Sequence, residues 1–346
     1  MTPYLLTLFF VIIWIFLEAK VLNRRAFWLP LLALSLFAGL RSYKVGTDTG
    51  GYVSNYTNSL DPNYYQFSDD IEKGYQLFEY LLLHLTHNYA WLLTITALFI
   101  VFSYLKFIKK YAQNYLLAVI VYVTFGVYTF FFNGLRQGIA MAIMMYAMPA
   151  LLDNKFWRYL LVCLVASTFH ISALFMIPFY FLVNVKIQTH YKVMMVVIGT
   201  ALAAAPLIQY MAKDNVRYEG YATNNDDFGG LFTLGFYVIL ALFILGINAK
   251  LKIRDEVFTK LSTLYFAGVA LLIPIAFLGA GASGPQRILN YFTWTLIIIL
   301  PTIFVKIKGV FIKLLFICLC IVYFYLTTTR FSNLAPYRLN PLFEIF

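Results

Sequence analysis

Long apolar runs separated by short polar turns occupy most of the chain. Because a helix needs about 20 predominantly apolar residues to span a bilayer, each long run is a candidate transmembrane helix. The segment 156–184 differs, since it is too long for one span and carries Ser167, Thr168 and His170 near its middle. The other candidate spans are 3–22, 26–40, 89–107, 114–132, 134–152, 192–211, 230–249, 257–279, 288–305 and 310–329.

The positive charges of the loops predict how these spans are connected. Lysine and arginine are enriched in the short loops that stay in the cytoplasm. This bias is satisfied only if the segment 156–184 enters and leaves the membrane on the same side, so we predict a helical hairpin with His170 near its outer tip. The pattern as a whole predicts an all-α, polytopic transmembrane bundle of about 11–13 helices. We expect a single membrane domain over residues 1–346.

The two sides of the membrane differ in the kind of cation that they carry in this topology. Lysine predominates inside and arginine predominates outside. Arginine is a planar fork that binds phosphate or carboxylate through two hydrogen bonds, whereas lysine is a hydrated point charge. The outer face is therefore expected to hold an anion. The outer cations are Arg41, Lys44, Lys73, Arg136, Lys213, Arg217, Arg287, Arg330 and Arg338.

The composition excludes several other classes of protein. Of the 346 residues, 62% are hydrophobic and only 12% are charged, so the chain lacks the polar surface of a soluble domain. The net charge of +11 lies in short turns between apolar runs, which membrane topology explains better than nucleic-acid binding. Cys163, Cys318 and Cys320 lie inside apolar segments. His84 and His87 lie one helical turn apart without further ligands, so we expect neither a metal nor a cofactor.

The longest hydrophilic stretches, 41–74 and 213–230, are outer loops in this topology. The inner loops are short and contain no glycine-rich loop that ends in Lys-Ser or Lys-Thr, so no cytoplasmic nucleotide-binding domain is expected. Any chemistry therefore belongs to the outer surface. An amphipathic helix at 71–87 is predicted to lie on that surface, ahead of the third span.

Four polar clusters fall at the outer ends of the predicted helices. Arg136 and His170 are the most informative members, because each lies in an apolar neighbourhood with no carboxylate nearby in the sequence. An ionisable side chain at membrane depth usually faces a polar cavity. The alternatives are an arginine that snorkels at a helix end and a core histidine bonded to a backbone carbonyl. The clusters are Gly39–Arg41 with Val45–Thr49 and Tyr52, Asn133–Gln137, Thr168–Leu174, and Gly284–Phe292.

In their order along the chain, these clusters resemble the EpsG family, a Wzy-like group of polysaccharide and O-antigen polymerases. The resemblance extends from Gly39 to Phe292, whereas the last two spans and the tail from Arg330 add nothing to it. The matching motifs are Gly-Leu-Arg41, Val-Gly-x-Asp48-Thr with Tyr52, Asn133-x-x-Arg-Gln-x-x-Ala, His170-x-Ser-Ala-Leu and Arg287-Ile-x-x-Tyr-Phe.

The resemblance implies an enzyme at the outer face of the bacterial cytoplasmic membrane. Such enzymes transfer a growing glycan from undecaprenyl pyrophosphate to a lipid-linked repeat unit, without nucleotide or ATP. The implied partners are undecaprenyl-pyrophosphate-linked oligosaccharides, membrane lipids and a chain-length regulator, but no nucleic acid. Arg41, Arg136 and Arg287 become candidates for a clamp that stabilises charge on the leaving pyrophosphate.

The resemblance also implies a group that takes the proton from the acceptor hydroxyl. His170 or Asp48 would do so, with Glu72 as a further candidate. Aromatic side chains at the outer edge are expected to stack on sugar rings. They are Tyr52, Tyr291 and Phe292.

Two other function classes remain open at the level of the sequence. Another outer-face transferase of lipid-linked sugars, such as an O-antigen ligase, would use the same clusters, with Asp48 as base or metal ligand. A flippase or transporter would need a charged path through the midplane, whereas the ionisable residues of this chain cluster at the ends of the spans. The motifs specify neither the sugar nor the linkage formed.

Overall fold

The computed structural model describes residues 1–58, 62–213, 229–277 and 285–340. Within these ranges the chain is helical, and the one β-interaction is an isolated bridge between Arg41 and Leu339. In the same ranges, seven helices are long and apolar enough to span a bilayer, and an eighth span results if the bent pair Gln286–Thr293 and Leu296–Lys306 is taken as one. The predicted all-α, polytopic fold class is confirmed.

The chain divides into two compact units. One comprises Met1–Ile177 with Leu300–Phe346, and the other comprises Pro178–Ile299. The helices in chain order are α1 (Thr2–Val21), α2 (Trp28–Gly39), α3 (Thr49–Asn58), α4 (Lys73–Leu83), α5 (Tyr89–Tyr111), α6 (Tyr115–Thr124), α7 (Val127–Asn133), α8 (Leu135–Leu152), α9 (Phe156–Ser167), α10 (Ile177–Asn184), α11 (Thr189–Lys213), α12 (Gly229–Leu251), α13 (Glu256–Phe277), α14 (Asn290–Thr293), α15 (Leu296–Lys306) and α16 (Val310–Leu326).

Local sequence signals account for where several of these helices begin and end. The side-chain oxygens of Asn88 and Asn114 cap α5 and α6, each accepting a backbone N–H at 3.0 Å. Gly126 has a φ of +81°, which glycine adopts without strain, and it separates α6 from α7. Lys109 and Lys110 lie in the last turn of α5, where the helix dipole favours cations.

The first unit is packed around α5 and α8. Helix α2 packs on α5, and α8 packs on both α5 and α9. The contact of α2 with α5 requires Gly39, because a Cβ there would lie 2.2 Å from Oγ1 of Thr94. After α9 the chain reverses, and the Tyr159 hydroxyl donates a hydrogen bond across the reversal to the Met176 carbonyl at 2.9 Å. This reversal lies where the sequence predicts the tip of a hairpin.

The long polar stretch 41–74, predicted as a loop, contains helical segments within its described residues. It contains α3 and a 3-10 helix at Pro62–Tyr64. The predicted amphipathic helix at 71–87 is present as α4, whose buried face includes Tyr75 and Glu79 and whose exposed face includes Leu81. Most of the predicted loop 213–230, namely residues 214–228 with Arg217, lies outside the described residues, as does Gly284.

The second unit has its own core. Leu234, Leu272, Ala276 and Leu289 form a buried cluster between α12, α13 and the 3-10 helix Pro285–Leu289. The Tyr265 hydroxyl of α13 donates to the Tyr237 carbonyl of α12 at 2.9 Å, so that its polar atom has a partner inside the apolar core.

Candidate functional site

An ion pair between Arg136 and Glu72 is the centre of the candidate site in the first unit. Arg136 is the second residue of α8, and Glu72 immediately precedes α4. The guanidinium Nη1 donates to Oε2 of Glu72, and the two side chains are only 18% and 16% exposed. The other carboxylate oxygen of Glu72 accepts the Ile171 N–H at 3.2 Å. One carboxylate thus joins the second and third polar clusters.

The start of α4 lies directly against the turn that contains His170. The Gly74 N–H donates to the Thr168 carbonyl at 2.8 Å. A Cβ at position 74 would lie 2.4 Å from Oγ1 and 2.7 Å from the carbonyl oxygen of Thr168. Glycine is therefore required for this approach, and the approach places Glu72 within reach of Ile171.

His170 is fixed in one tautomer by Ser172. Its Nδ1 accepts the Ser172 backbone N–H at 3.3 Å, and the Ser172 hydroxyl lies 2.6 Å from the same nitrogen. Since a backbone N–H can only donate, Nδ1 carries no proton, and the neutral imidazole has its proton on Nε2. The half-buried ring therefore presents a donor at Nε2 rather than a basic lone pair.

Asp48 and Tyr52 belong to the first turn of α3. The Asp48 carbonyl accepts the Gly51 and Tyr52 N–H groups at 3.1 and 3.3 Å, and its carboxylate accepts the Thr47 hydroxyl at 2.9 Å. Aspartate is a favoured residue at the position that precedes a helix. The Tyr52 hydroxyl lies beside the Arg136 guanidinium, and its ring packs 6.1 Å from that of Tyr75.

The first cluster is attached to the second through Asn133 and Phe132. The Asn133 side-chain oxygen accepts the Thr47 N–H at 2.9 Å, and the Thr49 hydroxyl donates to the Phe132 carbonyl at 2.8 Å. Gly46, with a φ of +100°, makes the turn that brings these atoms together. Three of the four polar clusters predicted from the sequence therefore form one contiguous structure in the first unit.

Arg41 is fully buried beneath this structure. Its guanidinium lies 4.4 Å from the centre of the Phe132 ring, and Nη1 donates to the Ala38 carbonyl. Nε and Nη2 have no hydrogen-bond partner among the described residues. Burial lowers the pKa of Arg41 to about 10, opposed by the surrounding tyrosines, so the side chain stays charged at neutral pH. Arg41 thus places a buried positive charge within the first cluster, against the Phe132 ring that precedes the second.

The tail that follows α16 is the structural feature that the sequence analysis missed. The Ser42 N–H donates to the Arg338 carbonyl at 2.8 Å, and the Asn340 N–H donates to the Leu40 carbonyl at 2.9 Å. The Ser332 backbone carbonyl accepts a hydrogen bond from the Asn133 side-chain N–H at 2.7 Å. The sequence signal for these contacts was the run of polar residues after the last apolar run. Those residues added nothing to the family resemblance, so no role was predicted for them.

Arg287, Tyr291 and Phe292 belong to the second unit. Arg287 is half-buried in the 3-10 helix Pro285–Leu289, and its carbonyl accepts the Asn290 side-chain N–H at 2.9 Å. Tyr291 and Phe292 are 1% and 0% exposed. The Phe292 ring packs against Phe179 at 4.7 Å and fills the space left by a glycine in α13. Burial of both rings favours a packing role over stacking on sugars.

A second carboxyl group of α4 was not recognised from the sequence. Glu79 lies two turns after Glu72 and is 5% exposed, and Tyr65 donates a hydrogen bond to its Oε2 at 3.2 Å. In the described ranges no group of three or more His, Cys, Asp or Glu side chains is arranged to hold a metal ion. The candidate site is therefore built from arginine, carboxylate, histidine and tyrosine side chains.

The fold and the site together define a multi-pass α-helical membrane protein with an arginine–carboxylate centre near the ends of its helices. The model of the EpsG family matches residues 24–341, nearly the whole chain, and the chain belongs to that family. The match includes the tail after α16, which contacts the first cluster. No curated protein and no solved structure matched the chain significantly.

Proposed function

We propose that the chain is a polysaccharide polymerase that transfers a growing glycan from undecaprenyl pyrophosphate to a lipid-linked repeat unit. The observation that carries the proposal is the Arg136–Glu72 pair, which joins the motif-bearing turns of the first unit in a chain of the EpsG family. The reaction would take place at the outer face of the bacterial cytoplasmic membrane, where both lipid-linked substrates are available.

Arg136 is the group best suited to bind the pyrophosphate. A guanidinium forms two parallel hydrogen bonds with a phosphate, and these strengthen as charge develops on the leaving oxygen. In the structure, Glu72 neutralises Arg136. The pyrophosphate of the donor would displace that carboxylate from the guanidinium, so that an incoming dianion replaces a single negative charge.

The remaining site residues support this step in different ways. The Nε2–H of His170 would donate to a phosphate or sugar oxygen, and Tyr52 would stack beside the reacting sugar. Arg41 would act through its charge, because its side chain is enclosed. Arg287, in the second unit, is a further candidate to bind phosphate. A chain-length regulator and membrane lipids are further expected partners. If the chain were an O-antigen ligase, the same site would use a different acceptor, and if it were a flippase, the site would use no acceptor.

The glycan pattern of cells that lack this chain tests the proposal. Loss of long chains with a single capped repeat unit retained, and recovery of long chains with the wild-type gene, would support a polymerase. Loss of all capped glycan would indicate a ligase or an earlier step, and lipid-linked units trapped on the cytoplasmic side would indicate a flippase.

A further inference from the structure

The proposed transfer needs a group that accepts a proton. The sequence offered three candidates, His170, Glu72 and Asp48, and all three already form hydrogen bonds in the structure. His170 presents an N–H at Nε2, because Nδ1 accepts from Ser172. Both carboxylate oxygens of Glu72 are bonded, one to Arg136 and one to the Ile171 N–H. Asp48 accepts a hydroxyl at the start of α3. The step needs a carboxylate close to Arg136 that neither a cation nor a backbone N–H has taken up, and a hydroxyl donor alone does not exclude one.

Glu79 meets this requirement by its position and its surroundings. Seven residues after Glu72, it lies on the same face of α4 and is 5% exposed. A glutamate is rarely so buried unless it is paired with a cation. Among the described residues Glu79 has no ion pair, and its Oε2 accepts a hydrogen bond from the Tyr65 hydroxyl at 3.2 Å.

The charged and titratable groups that face Glu79 come from four segments. They are Tyr56 of α3, Tyr65 of the segment before α4, Tyr75 of α4 itself and Arg136 of α8. Burial raises the pKa of Glu79 above its usual range, while the tyrosine hydroxyls and Arg136 oppose the shift. A carboxylate of raised pKa is a stronger base at neutral pH, as proton transfer from a sugar hydroxyl requires.

We propose that Glu79 is the catalytic residue that takes the proton of the acceptor sugar hydroxyl, between Arg136 and the tyrosines that surround it. The inference rests on the proposed polymerase function. The half-buried Tyr65 covers Oε2 of Glu79, so an acceptor O–H reaches this oxygen by replacing the Tyr65 O–H, which turns towards solvent.

The step balances in atoms and charge. The acceptor oxygen forms a bond to the anomeric carbon of the donor glycan as its proton moves to the Glu79 carboxylate. The bond from that carbon to the pyrophosphate oxygen breaks, and the leaving pyrophosphate keeps the electron pair beside Arg136. The neutral glutamic acid then returns its proton to water.

Two substitutions separate a base from a structural carboxyl. Purified full-length protein is given lipid-linked repeat units extracted from cells that lack this chain, and the elongation rate is followed from acid to alkaline pH. Glu79→Gln keeps the shape of the side chain and is expected to lower the rate at least about a hundredfold. Binding of the lipid-linked donor, measured separately, should remain unchanged because Arg136 is intact.

Tyr65→Phe removes the hydroxyl that stabilises the Glu79 carboxylate. The pKa of Glu79 should therefore rise, and the acid limb of the rate profile should move to higher pH while the rate at alkaline pH is kept. Tyr64→Phe is the matched control, because Tyr64 is 81% exposed and its profile should not move.

Three other outcomes would overturn the inference. A Glu79→Gln protein within tenfold of the wild-type rate excludes Glu79 as the base, and an unmoved acid limb in Tyr65→Phe shows that Glu79 does not set it. If the wild-type protein itself elongates nothing, the proposed function fails, and the inference fails with it. Elongation by the wild type alongside an active Glu79→Gln protein refutes only the role of Glu79.

Discussion

Glu72 and Arg136 form an ion pair although 64 residues separate them in the chain, and each side chain is largely shielded from water. Removal of one partner from a shielded pair leaves the other charge without compensation, which is usually more damaging than removal of both. The pairing thus holds the Arg136 guanidinium in one position. An anionic ligand that took over the guanidinium would leave Glu72 with its remaining hydrogen bond from the Ile171 N–H.

Arg136→Lys should fail almost as badly as Arg136→Ala. Lysine keeps the charge but loses the planar pair of donors, and the loss of one preorganised donor lowers a rate by about a hundredfold. The measurement is glycan chain length in cells that carry each variant, normalised to the amount of protein in the membrane. His170→Ala should likewise shorten the glycan without removing the protein from the membrane.

Arg24→Lys is the matched control for the arginine substitution. Arg24 also pairs with a glutamate, Glu18 at 2.7 Å, but its side chain is 63% exposed. Its replacement should leave chain length unchanged. Near-normal polymer from Arg136→Lys would mean that positive charge alone is required, as for a snorkelling side chain, and the bidentate clamp would have to be abandoned.

Elongation should survive the removal of divalent cations. In the proposed reaction the arginines would neutralise pyrophosphate without a metal, and the described part of the chain contains no group of three or more His, Cys, Asp or Glu side chains arranged to hold one. Purified protein with lipid-linked substrate is assayed in excess EDTA and again after Mg²⁺ or Mn²⁺ is restored. Complete inactivation that a divalent cation reverses would favour a metal-dependent transferase, with Asp48 as a ligand.

The sequence predicted the helices better than the contacts between them. Apolar runs are local signals, and α1, α5, α8 and α13 lie close to their predicted positions. The partner of Arg136 was hidden because Glu72 lies far away in the chain. Glu72 was predicted as a candidate base or substrate-binding residue and not as the partner of Arg136, since a pairing of this kind depends on how α4 packs.

Burial was the other property that the motifs did not reveal. Arg41 and Tyr291 were predicted to contact substrate, yet they are 0% and 1% exposed. A motif records which residues recur together, and a buried residue that positions a turn recurs as reliably as one that contacts a ligand. The role of His170 changed for a similar reason, because its tautomer depends on the bond from Ser172.

Deletion of residues 332–346 should destabilise the first polar cluster. It removes the hydrogen bonds from Ser42 to Arg338, from Asn340 to Leu40 and from Gly46 to Asn333. Each such bond contributes about 1 kcal/mol to stability. The thermal midpoint of the detergent-solubilised protein and the glycan length should both fall.

A shorter deletion, of residues 341–346 alone, keeps those hydrogen bonds and serves as the control for the truncation. Tyr337→Phe offers a milder test of the tail, because it removes only the hydroxyl bond to the Phe37 carbonyl at 2.7 Å and keeps the stacked rings. Equal midpoints for the two deletions would show that the tail does not stabilise the cluster.

The two ends of the segment 156–184 should lie on the same side of the membrane. The charge bias requires it, and the chain reverses between Tyr159 and Met176. Two variants are made from a protein without its three native cysteines, and each carries one new cysteine, from Asn154→Cys or from Lys186→Cys. Both positions are exposed. An impermeant thiol reagent should label both from the cytoplasmic side, and labelling from opposite sides would contradict the hairpin.

Gly74→Ala should weaken the site without touching any of its charged groups. The new Cβ would lie 2.4 Å from the Thr168 side chain and 2.7 Å from its carbonyl oxygen, so α4 must move away from the His170 turn. That movement would pull Glu72 from the Ile171 N–H and loosen its hold on Arg136. A strained contact of this kind costs on the order of 1–3 kcal/mol, and we expect shorter glycan together with a lower thermal midpoint.

Gly51→Ala in α3 is the matched control, because no atom lies within 4 Å of its Cβ and alanine favours a helix more than glycine does. If both variants make polymer of normal length, the close packing of α4 on the His170 turn is not what positions Glu72.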